Sequence, residues 1–241
     1  LYPWMDEGFT SYASSLTMAN IFQENGNPHR GSYAGYYRLA TSGLEEPMST
    51  HSDHYHTNAA YSSAAYAKGA VFMAQLGYVM GEEARDRGIL RYFNTWKFKH
   101  PNVNDLVRVM EKESGLELDW YKEYFVYSTK TIDYGIKEVK ANGGNTEITL
   151  ERIGLMPMPI DLVITYKDGS QESIYLPLVI MRGEKPQEKG QPTRIHTEAW
   201  PWTNLSKTLI LAKPFESIKS VEIDPSKRMA DIQQENNLVK F

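Results

Sequence analysis

The run Asp119-Trp120-Tyr121-Lys122-Glu123-Tyr124-Phe125-Val126-Tyr127-Ser128 decides how this 241-residue chain divides. Upstream of it, apolar residues recur at helical spacing. Downstream of Ser128 they recur at every second position. Asp119 opens a short aromatic helix over Trp120 to Tyr127, and the change of period sets a boundary between Ser128 and Asp133. The expected architecture is multi-domain, α and β: a helical domain over residues 1–130, then an antiparallel β-sandwich of about seven strands over residues 131–241.

Working back from the boundary, Leu106, Val109 and Met110 form the buried side of a helix that starts after Asn104, a candidate N-cap, and stops at Gly115. Before it, a helix from Glu82 to about Phe98 carries Ile89, Tyr92, Phe93 and Trp96 on one side. Another covers Ala59 to Met80 and ends at Gly81. Near the head of the chain Phe9, Tyr12, Ala13 and Leu16 make a further stripe, closed by Asn25-Gly26-Asn27-Pro28. Residues 27–58, rich in Gly, Ser, His and Tyr, read as a long loop with a short helix around Tyr33 to Leu39. Long loops in compact domains are often functional.

Working forward, Thr146, Ile148 and Leu150 alternate with polar neighbours, as do Leu162, Ile164 and Tyr166. Lys167-Asp168-Gly169-Ser170 is a hairpin turn into Ile174, Tyr175 and Leu176. Further strands are expected at Thr193–Thr197, Thr208–Ala212 and Ser220–Ile223. Trp200-Pro201-Trp202 is read as packing rather than as a sugar platform.

With 26 basic against 30 acidic residues, a net charge of -4 and no basic stripe, nucleic acid is not an expected partner. The absence of cysteine removes disulfides, thiolate metal sites and cysteine nucleophiles together. No apolar run approaches the roughly 20 residues that span a bilayer. Leu1-Tyr2-Pro3-Trp4-Met5 has neither an initiator Met nor a signal-like segment, so the chain is read as a fragment or a processed product.

Two short motifs carry chemistry. In Asp6-Glu7-Gly8-Phe9 a carboxylate at a helix start can serve as a hard oxygen ligand to zinc, although many such glutamates only answer the helix dipole. In Tyr66-Ala67-Lys68-Gly69-Ala70 a phenol inside an apolar helix can donate to an oxyanion, although many such rings are only packed.

Taken together, Trp4-Met5-Asp6-Glu7-Gly8-Phe9 and Tyr66-Ala67-Lys68-Gly69-Ala70 resemble the gluzincin zinc aminopeptidases, the family of aminopeptidase N and leukotriene hydrolase. Leu116-Glu117-Leu118-Asp119-Trp120, Leu150-Glu151-Arg152, Asp168-Gly169-Ser170 and Asp224-Pro225 extend the resemblance into the sandwich that follows the catalytic domain in bacterial members. The resemblance implies the α-helical half of a thermolysin-like catalytic domain. It also implies Glu7 as the third protein ligand of one zinc ion, Tyr66 as the donor to the tetrahedral intermediate, and peptide substrates. Asp6 stands where Asn is more usual.

Only six residues precede Glu7, and no His-Glu-x-x-His occurs in the chain. The family's other two zinc ligands and its general base are therefore expected on an upstream part of the same protein, as is its Gly-x-Met-Glu-Asn segment. The fragment is expected to hold zinc weakly or not at all, and to be inactive by itself. His51, His54 and His56, with Asp53 among them, offer an alternative metal site, but their spacing fits neither a helix face nor a knuckle. Asp53 and His54 are instead placed near the substrate cleft. The rival readings are a non-catalytic binding or scaffold protein of the same descent, and another hydrolysis at the same site. An extracytoplasmic, periplasmic location is a family-level expectation.

Overall fold

The computed structural model describes residues 2–241. The chain folds as two compact units, one ending at Lys130 and one covering Thr131–Phe241.

The helical unit is organised around α4 (Gly69–Met80), in which every residue is buried. A helix apolar on all sides can only be a core element, and its neighbours present aromatic faces to it. Trp4, on α1 (Pro3–Ile21), meets Phe72 edge-on at 5.0 Å. Tyr121 and Phe125, on α7 (Asp119–Phe125), lie against the same Phe72 ring, and the Tyr121 hydroxyl donates to the Phe72 carbonyl at 2.9 Å. The remaining helices are α2 (Arg30–Thr41), α3 (Asn58–Ser62), α5 (Glu82–Trp96) and α6 (Val103–Ser114). Among the described residues no helix is long and apolar enough to cross a membrane.

Four local expectations are revised. The segment after Pro28 is less loop-like than its composition suggests, because α2 runs for 12 residues with Tyr33, Tyr36 and Leu39 buried. The cap of α6 is Asn102, not Asn104. Asn102 accepts from the Asn104 N–H while Asp105 accepts from the Asn102 N–H, a reciprocal box that fixes the start. Asn104 instead accepts a hydrogen bond from Lys122. The stretch from Ala59 to Met80 is not one α-helix: Ser63–Lys68 is a π-helical turn between α3 and α4. Finally, Ile89, Tyr92, Phe93 and Trp96 of α5 are not sealed in a core. With Phe9, Tyr12, Ala13 and Leu16 of α1 they line an open apolar groove of about 730 Å³.

The second unit is a β-sandwich, with eight strands among the described residues. One sheet has the order β1-β2-β6, formed by Tyr134–Asn142, Asn145–Arg152 and Ser206–Leu211. The other has the order β5-β4-β3-β7-β8. Its strands are β3 (Ile160–Tyr166), β4 (Gln171–Leu176), β5 (Arg194–His196), β7 (Ile218–Ile223) and β8 (Leu238–Lys240). Pairing is antiparallel except between β4 and β5, which run parallel. Gly169, at φ 88°, closes the expected hairpin between β3 and β4. Trp200 is buried edge-on to Tyr134 at 5.4 Å and donates to the Asn204 carbonyl, so it is a packing residue.

Candidate functional site

Glu7 and Tyr66 come together because two glycines let their helices touch. A Cβ placed on Gly8 would lie 2.6 Å from the Gly69 Cα, and one placed on Gly69 would lie 2.8 Å from the Gly8 Cα. Real Cβ atoms do not approach backbone so closely, so only glycine permits this crossing. Each glycine directly follows a motif residue, Glu7 on α1 and Lys68 at the end of the π turn. The crossing therefore sets the first turns of α1 beside the turn that carries Tyr66. On the other side of the π turn, a Cβ on Gly35 of α2 would lie 2.9 Å from the Ala67 Cβ. The turn is clasped between two helices at glycine contacts.

The Tyr66 phenol lies within electrostatic reach of the Glu7 carboxylate. Its pKa is raised above the ordinary tyrosine value, first by the side-chain hydrogen bond with Glu7 and then by desolvation, with smaller contributions from the charges of Glu7, Tyr61 and Asp6. A phenol in that position stays protonated at neutral pH and acts as a donor. Glu7 is half-buried, and among the described residues no lysine, arginine or histidine forms an ion pair with it. A half-buried carboxylate with no ion-pair partner among the described residues is a group that can take a cation. The donor set is of the right kind for zinc, a carboxylate oxygen, but it is a single ligand. The one group of three metal-ligating side chains among the described residues is Glu111, Glu117 and Asp119, which does not include Glu7.

Sequence reasoning missed Lys68. Its side chain is 1% exposed and makes an ion pair with the buried Glu45 carboxylate at 2.7 Å. Its ammonium also lies 3.4 Å from the Ser128 carbonyl and 4.9 Å from the centre of the Phe125 ring. Burial pushes the Lys68 pKa down, and the charge and hydrogen bond of Glu45 oppose that. The signal in the sequence was a lysine set between alanines and glycine in an otherwise apolar run, a place where an unpaired charge is not tolerated.

The loop histidines are not gathered into a ligand set. Ser52–His54 is a 3₁₀ turn in which His51 Nδ1 accepts from the Asp53 N–H at 3.2 Å, and Asp53 and His54 are exposed. The His51 and His54 rings lie 5.1 Å apart. His56 turns away to Glu46, with Nδ1 at 2.9 Å from its carboxylate. The loop's link to Tyr66 runs through Tyr55, which packs edge-on against Tyr61 at 5.6 Å, the same Tyr61 that influences the Tyr66 phenol.

With this geometry in view, comparison with known proteins gives the class. The model of the peptidase family M1 domain matches residues 3–125, a span that includes both motifs. The chain belongs to peptidase family M1, a family of peptidases. Among similar proteins, Aminopeptidase M1-B of Oryza sativa subsp. japonica is 26% identical over 148 residues, covering 58% of this chain and 16% of the relative. Aminopeptidase N of Streptomyces lividans is 27% identical over 128 residues, covering 50% of this chain and 15% of the relative. The chain thus spans about a sixth of the length of these relatives. The crystal structure of Legionella pneumophila aminopeptidase A in complex with aspartic acid aligns with 95% of this chain and 24% of its own, at a TM-score of 0.55 and 11% identity. That likeness supports the fold: a helical part followed by a β-sandwich.

Proposed function

We propose that this chain carries part of the active site of a zinc-dependent aminopeptidase, with Glu7 as one carboxylate ligand of the metal and Tyr66 as the oxyanion donor. The observation that carries the reading is the Gly8–Gly69 crossing, which sets the helix of the half-buried Glu7 against the turn that carries Tyr66. A zinc ion, when bound, supplies polarisation of the scissile carbonyl and activation of water. Glu7 offers it an oxygen from a rigid helix. Tyr66 keeps its proton and would donate to the oxygen of the substrate carbonyl as negative charge develops there.

One carboxylate holds zinc weakly. In this reading the remaining ligands and the general base belong to a part of the protein outside these residues, and the chain alone does not hydrolyse peptides. The small share of each relative that the chain matches supports that view. Asp53 and His54 border the peptide cleft, so replacing both with Ala in the whole protein raises KM and leaves kcat near its original value.

The central test is Tyr66→Phe in the whole protein, assayed on peptides with free and blocked N-termini. We expect kcat to fall on the order of 10²–10³-fold with zinc content unchanged, since a single oxyanion donor is worth about 3 kcal/mol. Cleavage of free N-termini alone identifies an aminopeptidase. An unchanged kcat with zinc retained would remove Tyr66 from the mechanism.

A further inference from the structure

The Tyr66 ring is 42% exposed, so little of its own packing can hold it in place. Two residues further on, Lys68 is 1% exposed. Side chains two positions apart on a helix point to nearly opposite sides, about 200° apart on an α-helix. Fixing the direction of Lys68 inward therefore fixes the direction of Tyr66 outward. Lys68 is fixed by contacts to widely separated parts of the helical unit: Glu45 after α2, Phe125 on α7, and the Ser128 carbonyl. Both residues lie on Ser63–Lys68, which is π-helical, a rare form found mostly as single turns within α-helices.

We propose that the buried Lys68–Glu45 ion pair is a positioning device, which holds the π turn in register and so keeps the Tyr66 phenol directed at Glu7. Lys68 is a positioning residue and touches no substrate. The inference rests on the role proposed for Tyr66. Removing the pair lets the turn relax towards ordinary α-helical winding. Tyr66 and the residues before it would then be rotated relative to α4, and the phenol would leave Glu7. Replacing both charges with apolar side chains of similar length restores a neutral, packed interior but does not restore the register, because methionines impose no direction on each other.

Two measurements test this. In the first, 3-fluorotyrosine is placed at position 66 of the 241-residue chain and its ¹⁹F resonance is recorded. The parent should give one shifted resonance. Lys68→Met and Lys68→Met/Glu45→Met should move it towards the free amino-acid position or split it. Because Lys68→Met alone leaves a buried carboxylate and can fail to fold, the double variant decides. An unchanged resonance in a folded double variant would overturn the proposal. In the second, kcat is measured for the whole protein in a double-mutant cycle. Lys68→Met/Glu45→Met should lower kcat at least tenfold in the wild-type background, with little change in KM or zinc content, and should have no further effect on Tyr66→Phe. An equal loss in both backgrounds would mean a general structural role and overturn the positioning role. If Tyr66→Phe itself left kcat unchanged, the failure would lie in the proposed function, and the ¹⁹F result would still judge the positioning claim.

Discussion

Gly69→Ala tests the contact on which the candidate site depends. The added methyl would meet the Gly8 Cα at 2.8 Å and the Trp4 carbonyl at 3.1 Å, both backbone atoms. Carbon atoms rest about 3.5–4.0 Å apart, so the two helices must separate by about 1 Å. Overpacking of this kind costs about 1–3 kcal/mol, and the obstructing atoms here cannot swing aside as a side-chain end could. Alanine's better helix propensity returns up to about 1 kcal/mol. The net expectation is a loss of about 2 kcal/mol in the helical unit. Gly31→Ala in α2 is the control, because nothing lies within 4 Å of its added Cβ. It should be neutral or slightly stabilising. The assay is urea unfolding of the 241-residue chain followed by far-UV ellipticity, to which the helical unit contributes most. If Gly69→Ala were as stable as Gly31→Ala, the close crossing would be wrong, and with it the account of how Glu7 meets Tyr66.

Acid should act on the two units in opposite directions. His29 is stacked on Tyr12, and its pKa is pulled down to about 4 by burial and then by the charge of Arg85. It is neutral in the fold, so its contribution is present above the unfolded value of 6.5 and lost as pH falls towards 4. The loss is up to about 3 kcal/mol, and His29→Phe should flatten that part of the urea-midpoint profile. Asp224 is buried with its pKa pushed up to about 7, chiefly by desolvation. A raised carboxyl stabilises the folded state at low pH, and that stability is lost as pH rises from about 4 through 7. Asp224→Asn mimics the protonated acid, donating to Ser226 and accepting from the Met229 N–H. It should therefore slow amide exchange in β3 and β7 at pH 8, and an unchanged or faster exchange would refute the assignment. Asn102→Ala removes the capping box of α6 and should cost about 1 kcal/mol in the same urea assay.

The fold was legible where burial follows a period. α4 reads as core because every one of its positions is apolar or small, apart from Gln75, and β3 reads as a strand because Leu162, Ile164 and Tyr166 alternate. β1 was not legible. Beyond Ile136 it is largely exposed, its charged residues do not alternate with apolar ones, and a bulge between Ile136 and Glu138 shifts the register. β8 is three residues long and sits in a polar context, too short for a period to show. The π turn was illegible for a different reason. Ser63 to Lys68 has the composition of an α-helix, and nothing in its residue pattern marks the wider winding. Glu7 and Tyr66 could be picked out as a pair because the motifs that hold them resemble a family. Their adjacency was not readable, since Gly8 and Gly69 are distant in the chain and either alone is ordinary.

The helical unit also shows how a side chain can be exposed and yet fixed. A group that must reach solvent to meet a substrate cannot be locked by burial of its own atoms. The burden passes to its sequence neighbours. Ala64 and Ala65 before Tyr66, and Lys68 and Gly69 after it, are all buried. Alanine and glycine allow the backbones to close up, with Gly69 seated on Gly8 and Ala67 against Gly35. Lysine adds what small residues cannot, an ion pair reaching across the core to Glu45. A buried pair of that kind adds little net stability over an apolar equivalent, because desolvation offsets most of the Coulomb attraction. Its presence beside an exposed, proton-bearing tyrosine therefore makes more sense as geometry than as stability, and the methionine double variant separates the two.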